Sequence, residues 1–157
     1  MTASARPATL DDLGVLHALY RGLQAEMSNL SDLWHLTDGL AEPVADSLRS
    51  AILDDASEVI IGLYGGHPFG FLLARVESVH PQGDGLCIGA IRLVYVEDGG
   101  REVGIGEAMR DLALTRLRSR GIRRFDAHVL PGHRLAKNFF EQGGFSARHI
   151  VMHHDDG

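Results

Sequence analysis

A chain of 157 residues with 45% hydrophobic and 23% charged side chains is long enough to bury a core and ordinary in composition for a soluble globular domain. The 21 acidic residues outweigh the 15 basic ones to give a net charge of −6, the wrong sign for a nucleic-acid backbone partner. A single cysteine, Cys87, excludes an intrachain disulfide and a cysteine-based zinc site, and no apolar run reaches membrane-spanning length. The expectation is one domain over residues 1–157, cytoplasmic, with no metal, membrane or nucleic-acid partner. The nine histidines are scattered, and the one adjacent pair, His153-His154, sits beside Asp155-Asp156 in what reads as a solvated tail.

In chain order, Pro7 limits residues 4–8 to an edge strand or lead-in. Thr9 or Asp11 can cap a helix. Leu13, Leu16, Leu19, Tyr20 and Leu23 recur at helical spacing and carry that helix to about Met27. Residues 28–42 read as a loop holding Trp34-His35, with a turn of helix at most. A second helix starts at Pro43, with Val44, Leu48, Ala51 and Ile52 on one face. The period then changes. Residues 58–64 and 68–77 are β-rich runs joined at Gly65-Gly66, a hairpin signature. After the turn-rich stretch 80–85, residues 86–96 form a long strand, apolar on both faces apart from Arg92. A helix follows and stops at Gly121. A strand over 122–130, a helix over 134–142 and a last strand over 145–152 complete the pattern. The order β-α-α-β-β-β-α-β-α-β predicts an α/β (α+β) fold in which an antiparallel meander joins a strand–helix–strand crossover, and that crossover needs parallel neighbours.

The loop between strand and helix, Arg101-Glu102-Val103-Gly104-Ile105-Gly106-Glu107, presents free N–H groups at the positive end of a helix dipole, a receptor for phosphate. It follows a β-meander deep in the chain, which is the wrong context for a dinucleotide fingerprint, and no Gly-Lys-Ser/Thr completes a Walker loop. Two readings of Gly104 and Gly106 stand: close backbone approach to a phosphate, or a tight strand–helix turn.

The element order, the strand end Leu93-Val94-Tyr95-Val96, that loop, and the block Val129 to Phe145 together resemble the GCN5-related N-acetyltransferase (GNAT) family. The block resembles the family pattern Val-x-x-x-Asn-x-x-Ala-x-x-Phe-Tyr-Glu-x-x-Gly-Phe, and the resemblance as a whole covers nearly the entire chain. The resemblance implies a mixed, mostly antiparallel central sheet with a parallel, splayed pair formed by its fourth and fifth strands, and helices on both faces. It implies acetyl-CoA as cosubstrate, with pyrophosphate on residues Arg101, Glu102, Val103, Gly104, Ile105, Gly106 and Glu107. Pantetheine would run beside Val94, Tyr95 and Val96, and Asn138 would join the cofactor site. The implied activity is transfer of acetyl to a primary amine, of a small molecule or a peptide, by direct attack in a ternary complex without metal. Homodimers are frequent in the family.

Two positions depart from the pattern. Phe140 replaces the tyrosine that usually protonates the leaving thiolate, and His133 replaces the usual asparagine. They motivate an alternative, an acyl-CoA-binding regulatory or sensor protein with little catalysis. The candidate base is His128, which occupies the place of a glutamate in some members. An imidazole suits proton transfer near neutrality, and the competing reading is a histidine bonded to a strand neighbour. Tyr95 and His133 are the remaining candidate catalytic groups. Trp34 and His35, with Asp32 and Asp38, form either an acidic, aromatic wall for an amine or, for Trp34, a hydrophobic plug. Glu77 and His80 read as turn residues and Cys87 as a buried, inert thiol. Arg92 either pairs with an acid across the sheet or faces the acceptor.

Overall fold

The computed structural model describes residues 1–157. In chain order it contains β1 (Ala3–Pro7), α1 (Leu13–Leu30), α2 (Val44–Leu53), β2 (Ser57–Tyr64), β3 (His67–Ser78), β4 (Cys87–Val96), α3 (Ile105–Ser119), β5 (Phe125–Ala127) and α4 (Arg134–Gln142). The five strands lie in the order β1-β2-β3-β4-β5, antiparallel except for the parallel β4–β5 pair. This is the mixed sheet that the order of elements predicted. Gly65 and Gly66, at φ +58° and +80°, make the two-residue hairpin turn between β2 and β3.

Both faces of the sheet are covered, which is why β2 and β3 read as nearly unbroken apolar runs. On one face Leu16, Leu19, Tyr20 and Leu23 of α1 and Val44 and Leu48 of α2 pack on Ile61, Phe71, Leu73 and Leu93. On the other, Ile105, Met109, Ala113 and Leu117 of α3 and Phe140 of α4 pack on Ile60, Leu72, Ala74 and Ile91. Helix α3 seats closely because β2 carries Gly62 beneath it. A Cβ there would lie 2.5 Å from Ile105 Cγ2 and 2.7 Å from Met109 Sδ. The C-terminal half of α3 is tied to β2 by Glu58, a buried carboxylate that accepts from Arg116 Nε and Arg120 Nη2, each at 2.8 Å.

Strand β4 positions the site. Its register with β3 slips between Leu73↔Leu93 and Ala74↔Ile91, leaving Arg92 as the extra, bulged residue. The parallel ladder with β5 covers only Gly89, Ala90 and Ile91. One further bond, from His128 N–H to the Ile91 carbonyl at 3.0 Å, ends it. Beyond the bulge β4 turns away, and the two strands separate.

Two expectations are corrected. The strand expected over 122–130 is confined to Phe125–Ala127, because the bulge removes its ladder partner beyond Ile91. The final strand expected over 145–152 does not form. Residues 146–152 make no backbone hydrogen bonds, and the tail is held to β5 by side chains alone, through Arg148 and Asp126 at 2.5 and 2.7 Å. Ile150, Val151 and Met152 are exposed. β-Propensity yields a strand only where a ladder and a covered face are within reach. No helix is long and apolar enough to cross a membrane.

Candidate active site

The gap between β4 and β5 is bordered by three groups of residues. The first is the loop into α3. Glu102 and Gly104 both adopt left-handed backbone, at φ +66° and +93°. Such residues turn successive N–H groups toward one side, forming an anion-binding concavity. The N–H groups of Glu102, Val103, Gly104, Ile105, Gly106 and Glu107 meet no protein acceptor; the first bond of the helix is Ala108 N–H to the Gly104 carbonyl. Of the two glycines, Gly104 is needed for its positive φ; a Cβ added there would meet only Ala3 Cβ, at 3.6 Å. Gly106 has a different role. A Cβ there would lie 3.0 Å from Phe139 Cε1, so this glycine lets α4 approach the start of α3.

The second group is the free edge of β4. Glu97 N–H donates to the Phe69 carbonyl, and Gly70 stands opposite Val96. Antiparallel geometry therefore points the N–H and C=O of Val94 and Val96 away from β3, into the gap. The Val96 carbonyl accepts from Arg101 Nε at 2.8 Å. Arg101 is otherwise spent within the protein. Its Nη2 bonds Glu26 of α1 at 2.7 Å, its Nη1 pairs with Asp98 at 2.6 Å, and its guanidinium lies over the Tyr95 ring at 5.9 Å. It pins the loop to β4 and α1. The Tyr95 hydroxyl is turned toward α1, where a Cβ on Gly22 would come within 2.7 Å of it. Burial raises its pKa, so the phenol stays protonated. His133, half-buried at the start of α4, is held below the ordinary histidine range by burial, against the pull of the Glu26 charge. Asn138 and Val103 are exposed.

The third group is a polar cluster where the strands part. Arg92 donates Nε and Nη2 to the two oxygens of Glu77 at 2.7 and 2.6 Å, and Nη1 to Asp38 Oδ1 at 2.5 Å. His128 Nδ1 lies 3.0 Å from Asp38 Oδ2 and 3.2 Å from Arg92 Nη1. Burial pushes the Asp38 carboxyl up, but the hydrogen bond and charge of His128 and the charge of Arg92 outweigh it and leave Asp38 below the usual carboxylate range. The loop carrying Asp38 is itself clamped. Leu40 N–H donates to the buried Tyr20 hydroxyl at 2.7 Å, and a Cβ on Gly39 would lie 3.2 Å from both Trp34 and that hydroxyl. Trp34 packs partly buried against the α1–α2 core, as a plug.

Arg92 thus pairs with acids across the sheet, and Glu77, which reads from sequence as a turn residue, is one of them. The contact of Asp38 with His128 had no local signal, because 90 positions separate the two in sequence. The one hint was Arg92 itself, since a guanidinium inside an apolar strand requires carboxylates. Cys87 is partly rather than fully buried. From Arg92 and Glu77 an open cleft of about 790 Å³ extends between α2 and the sheet. Its only apolar lining residues are Leu40, Ala51 and Leu73.

A mixed sheet whose parallel pair parts beside a helix start lined with free N–H groups is the architecture of the acetyltransferases. The chain belongs to the Acetyltransferase (GNAT) family, whose model matches residues 17–145. Among solved structures, a GCN5-related N-acetyltransferase from Ralstonia eutropha JMP134 is 22% identical with a TM-score of 0.75, covering 99% of each chain. AAC(6′)-Iy in complex with the bisubstrate analogue CoA-S-monomethyl-acetylneamine is 14% identical with a TM-score of 0.77, covering 100% of this chain and 99% of that one. A ribosomal-protein-alanine N-acetyltransferase from Brucella melitensis biovar Abortus 2308 is 17% identical with a TM-score of 0.71, covering 99% and 100%. At these identities the likeness concerns the fold. Among curated proteins, none matches the sequence.

Proposed function

We propose that this protein transfers an acetyl group from acetyl-CoA to a primary amine by direct attack within a ternary complex. The observation that carries the reading is the unpaired β4 edge at Val94 and Val96, which runs from the N–H-lined loop to the imidazole of His128. In this reading the N–H groups of residues 102–107 bind the pyrophosphate, and the Val94 carbonyl and the Val96 N–H hold the pantetheine arm as a partial strand. Acetyl-CoA supplies the activated thioester. The His128 imidazole takes the proton of the incoming ammonium, and the Val94 N–H, free and aimed into the gap, donates to the oxygen on which charge develops. His133, neutral at physiological pH, offers the leaving sulfur a hydrogen bond, and the second amine proton, lost as the tetrahedral adduct collapses, passes through solvent to the thiolate, so that amide, CoA thiol and one proton are released per cycle. The acceptor is a polar amine, because the cleft beside Asp38 presents the carboxylates of Asp38, Asp46, Asp54 and Glu77 alongside an apolar floor that includes Leu40, Ala51 and Leu73.

Thiol release from acetyl-CoA across a panel of amines tests the reading. His128→Ala should lower kcat on the order of 10²–10⁴-fold while leaving acetyl-CoA affinity in place. Undiminished turnover would remove His128 from the mechanism. Phe140 favours a second reading. Its ring is buried among Phe139, Phe145 and α3, and has no proton to give. Thermal stabilisation by CoA without turnover of any amine would establish an acyl-CoA-binding regulatory protein instead.

A further inference from the structure

We infer that Glu26 is a positioning residue for the CoA site: through Arg101 it holds Glu102 in the left-handed backbone that aims the loop N–H groups. This rests on the reading of residues 102–107 as the pyrophosphate site. Glu102 is the strained point of that loop. It adopts φ +66° with a full side chain, whereas the other left-handed position of the loop holds Gly104. Such a conformation costs an L-residue free energy and persists only where its surroundings over-determine it. Glu102 does nothing to hold itself there. Its side chain is exposed and unpaired, and its own N–H and C=O make no backbone bond.

The restraint comes from the two ends. On one side Ile105, fully buried at the start of α3, fixes the chain three residues on. On the other, Arg101 is adjacent in sequence and tied at three points. Nε donates to the Val96 carbonyl at 2.8 Å, Nη1 pairs with Asp98 at 2.6 Å, and Nη2 donates to Glu26 Oε2 at 2.7 Å. Asp98 is almost fully exposed, so its pair is weak. Glu26 is only about a third exposed and comes from α1, which makes it the anchor from outside the loop. Its placement runs against simple electrostatics, because a carboxylate next to a site for a polyanion repels the ligand. A carboxylate that aids binding from there acts through geometry.

Binding is the readout, because His133 also feels the charges of Glu26 and Arg101 and turnover would mix the two effects. In calorimetric titration with CoA, Arg101→Ala should raise Kd roughly 5- to 30-fold, the cost of a left-handed L-residue expressed as an equilibrium. Glu26→Ala, which removes one of the three ties, should weaken CoA at least about threefold. A Glu26→Ala protein that binds CoA as tightly as the parent, or more tightly, overturns the inference, since the carboxylate then acts only as charge. Glu102→Gly supplies a second arm, because glycine takes positive φ without the penalty. In a double-mutant cycle it should restore more affinity in Arg101→Ala than it adds in the parent. Equal gains in the two backgrounds would mean that Arg101 does not hold Glu102, and the inference falls. In the ligand-free parent the intraresidue amide–Hα NOE of Glu102 should be strong, as positive φ requires, and it should weaken in Glu26→Ala; an unchanged NOE there also overturns the positioning role. A parent that shows this NOE yet binds no CoA refutes the pyrophosphate reading instead, and the role of Glu26 in binding with it.

Discussion

Replacing Gly104 by alanine separates a binding loop from a plain turn. Gly104 sits at φ +93°, a conformation that costs an L-residue about 1–2 kcal/mol. Space is not the obstacle, because the nearest atom to an added Cβ is Ala3 Cβ at 3.6 Å. If Gly104→Ala keeps its backbone, it should lose about 1–2 kcal/mol, or roughly 2–8 °C in Tm for a domain of this size. If it relaxes toward negative φ instead, the N–H groups of residues 102–107 no longer converge. Losing one charge-assisted bond to a phosphate costs about 1.5–3 kcal/mol. That corresponds to roughly 10- to 150-fold in Kd for CoA. Gly99→Ala is the matched control, since that glycine has no positive φ and nothing within 4 Å of an added Cβ. Calorimetric titration with CoA, paired with thermal unfolding, measures both quantities. A Gly104→Ala protein matching the parent in Tm and in Kd would refute the strain argument and the anion-site argument together.

Two further predictions concern stability. Glu58→Gln leaves Arg116 and Arg120 without their charged partner at the sheet. With both guanidiniums part-exposed, the cost should be about 1–3 kcal/mol in urea unfolding, below that of a fully buried pair; a change within error would mean the triad carries no net energy. For His133, burial disfavours the imidazolium in the fold, so as pH falls below about 6.5 the unfolded chain takes up a proton that the folded one refuses. Stability should therefore decline from that point down to the lower folded pKa, and His133→Asn should remove this part of the decline. Identical urea midpoints against pH in the two proteins would show that His133 is not buried as described.

The architecture was legible because it rests on local patterns. Helical spacing of Leu16, Leu19, Tyr20 and Leu23, the switch to β-rich runs at Val59, and the turn at Gly65-Gly66 each depend on neighbours in sequence. The loop from Arg101 to Glu107 was legible for the same reason, since a helix start exposes its own N–H groups. The last strand misled because residues 145–152 have strand composition but no ladder, and a ladder is supplied by other parts of the chain. Gly106 was legible only in part. Its neighbour is Phe139, 33 residues onward, so its packing role was invisible beside its position in a glycine loop.

By itself, then, the chain determined its family, the mixed sheet and the N–H-lined start of α3, because all of these follow from residue type and spacing over short stretches. Only the tertiary structure decided how the polar groups meet. Asp38, Glu77, Arg92 and His128 come from a loop and three different strand regions, and their contacts depend on a single-residue bulge in β4 and on the clamp of Tyr20 over Leu40. Hydrogen bonds form over about 3 Å, whereas periodicity is blind to which distant segments end up that close.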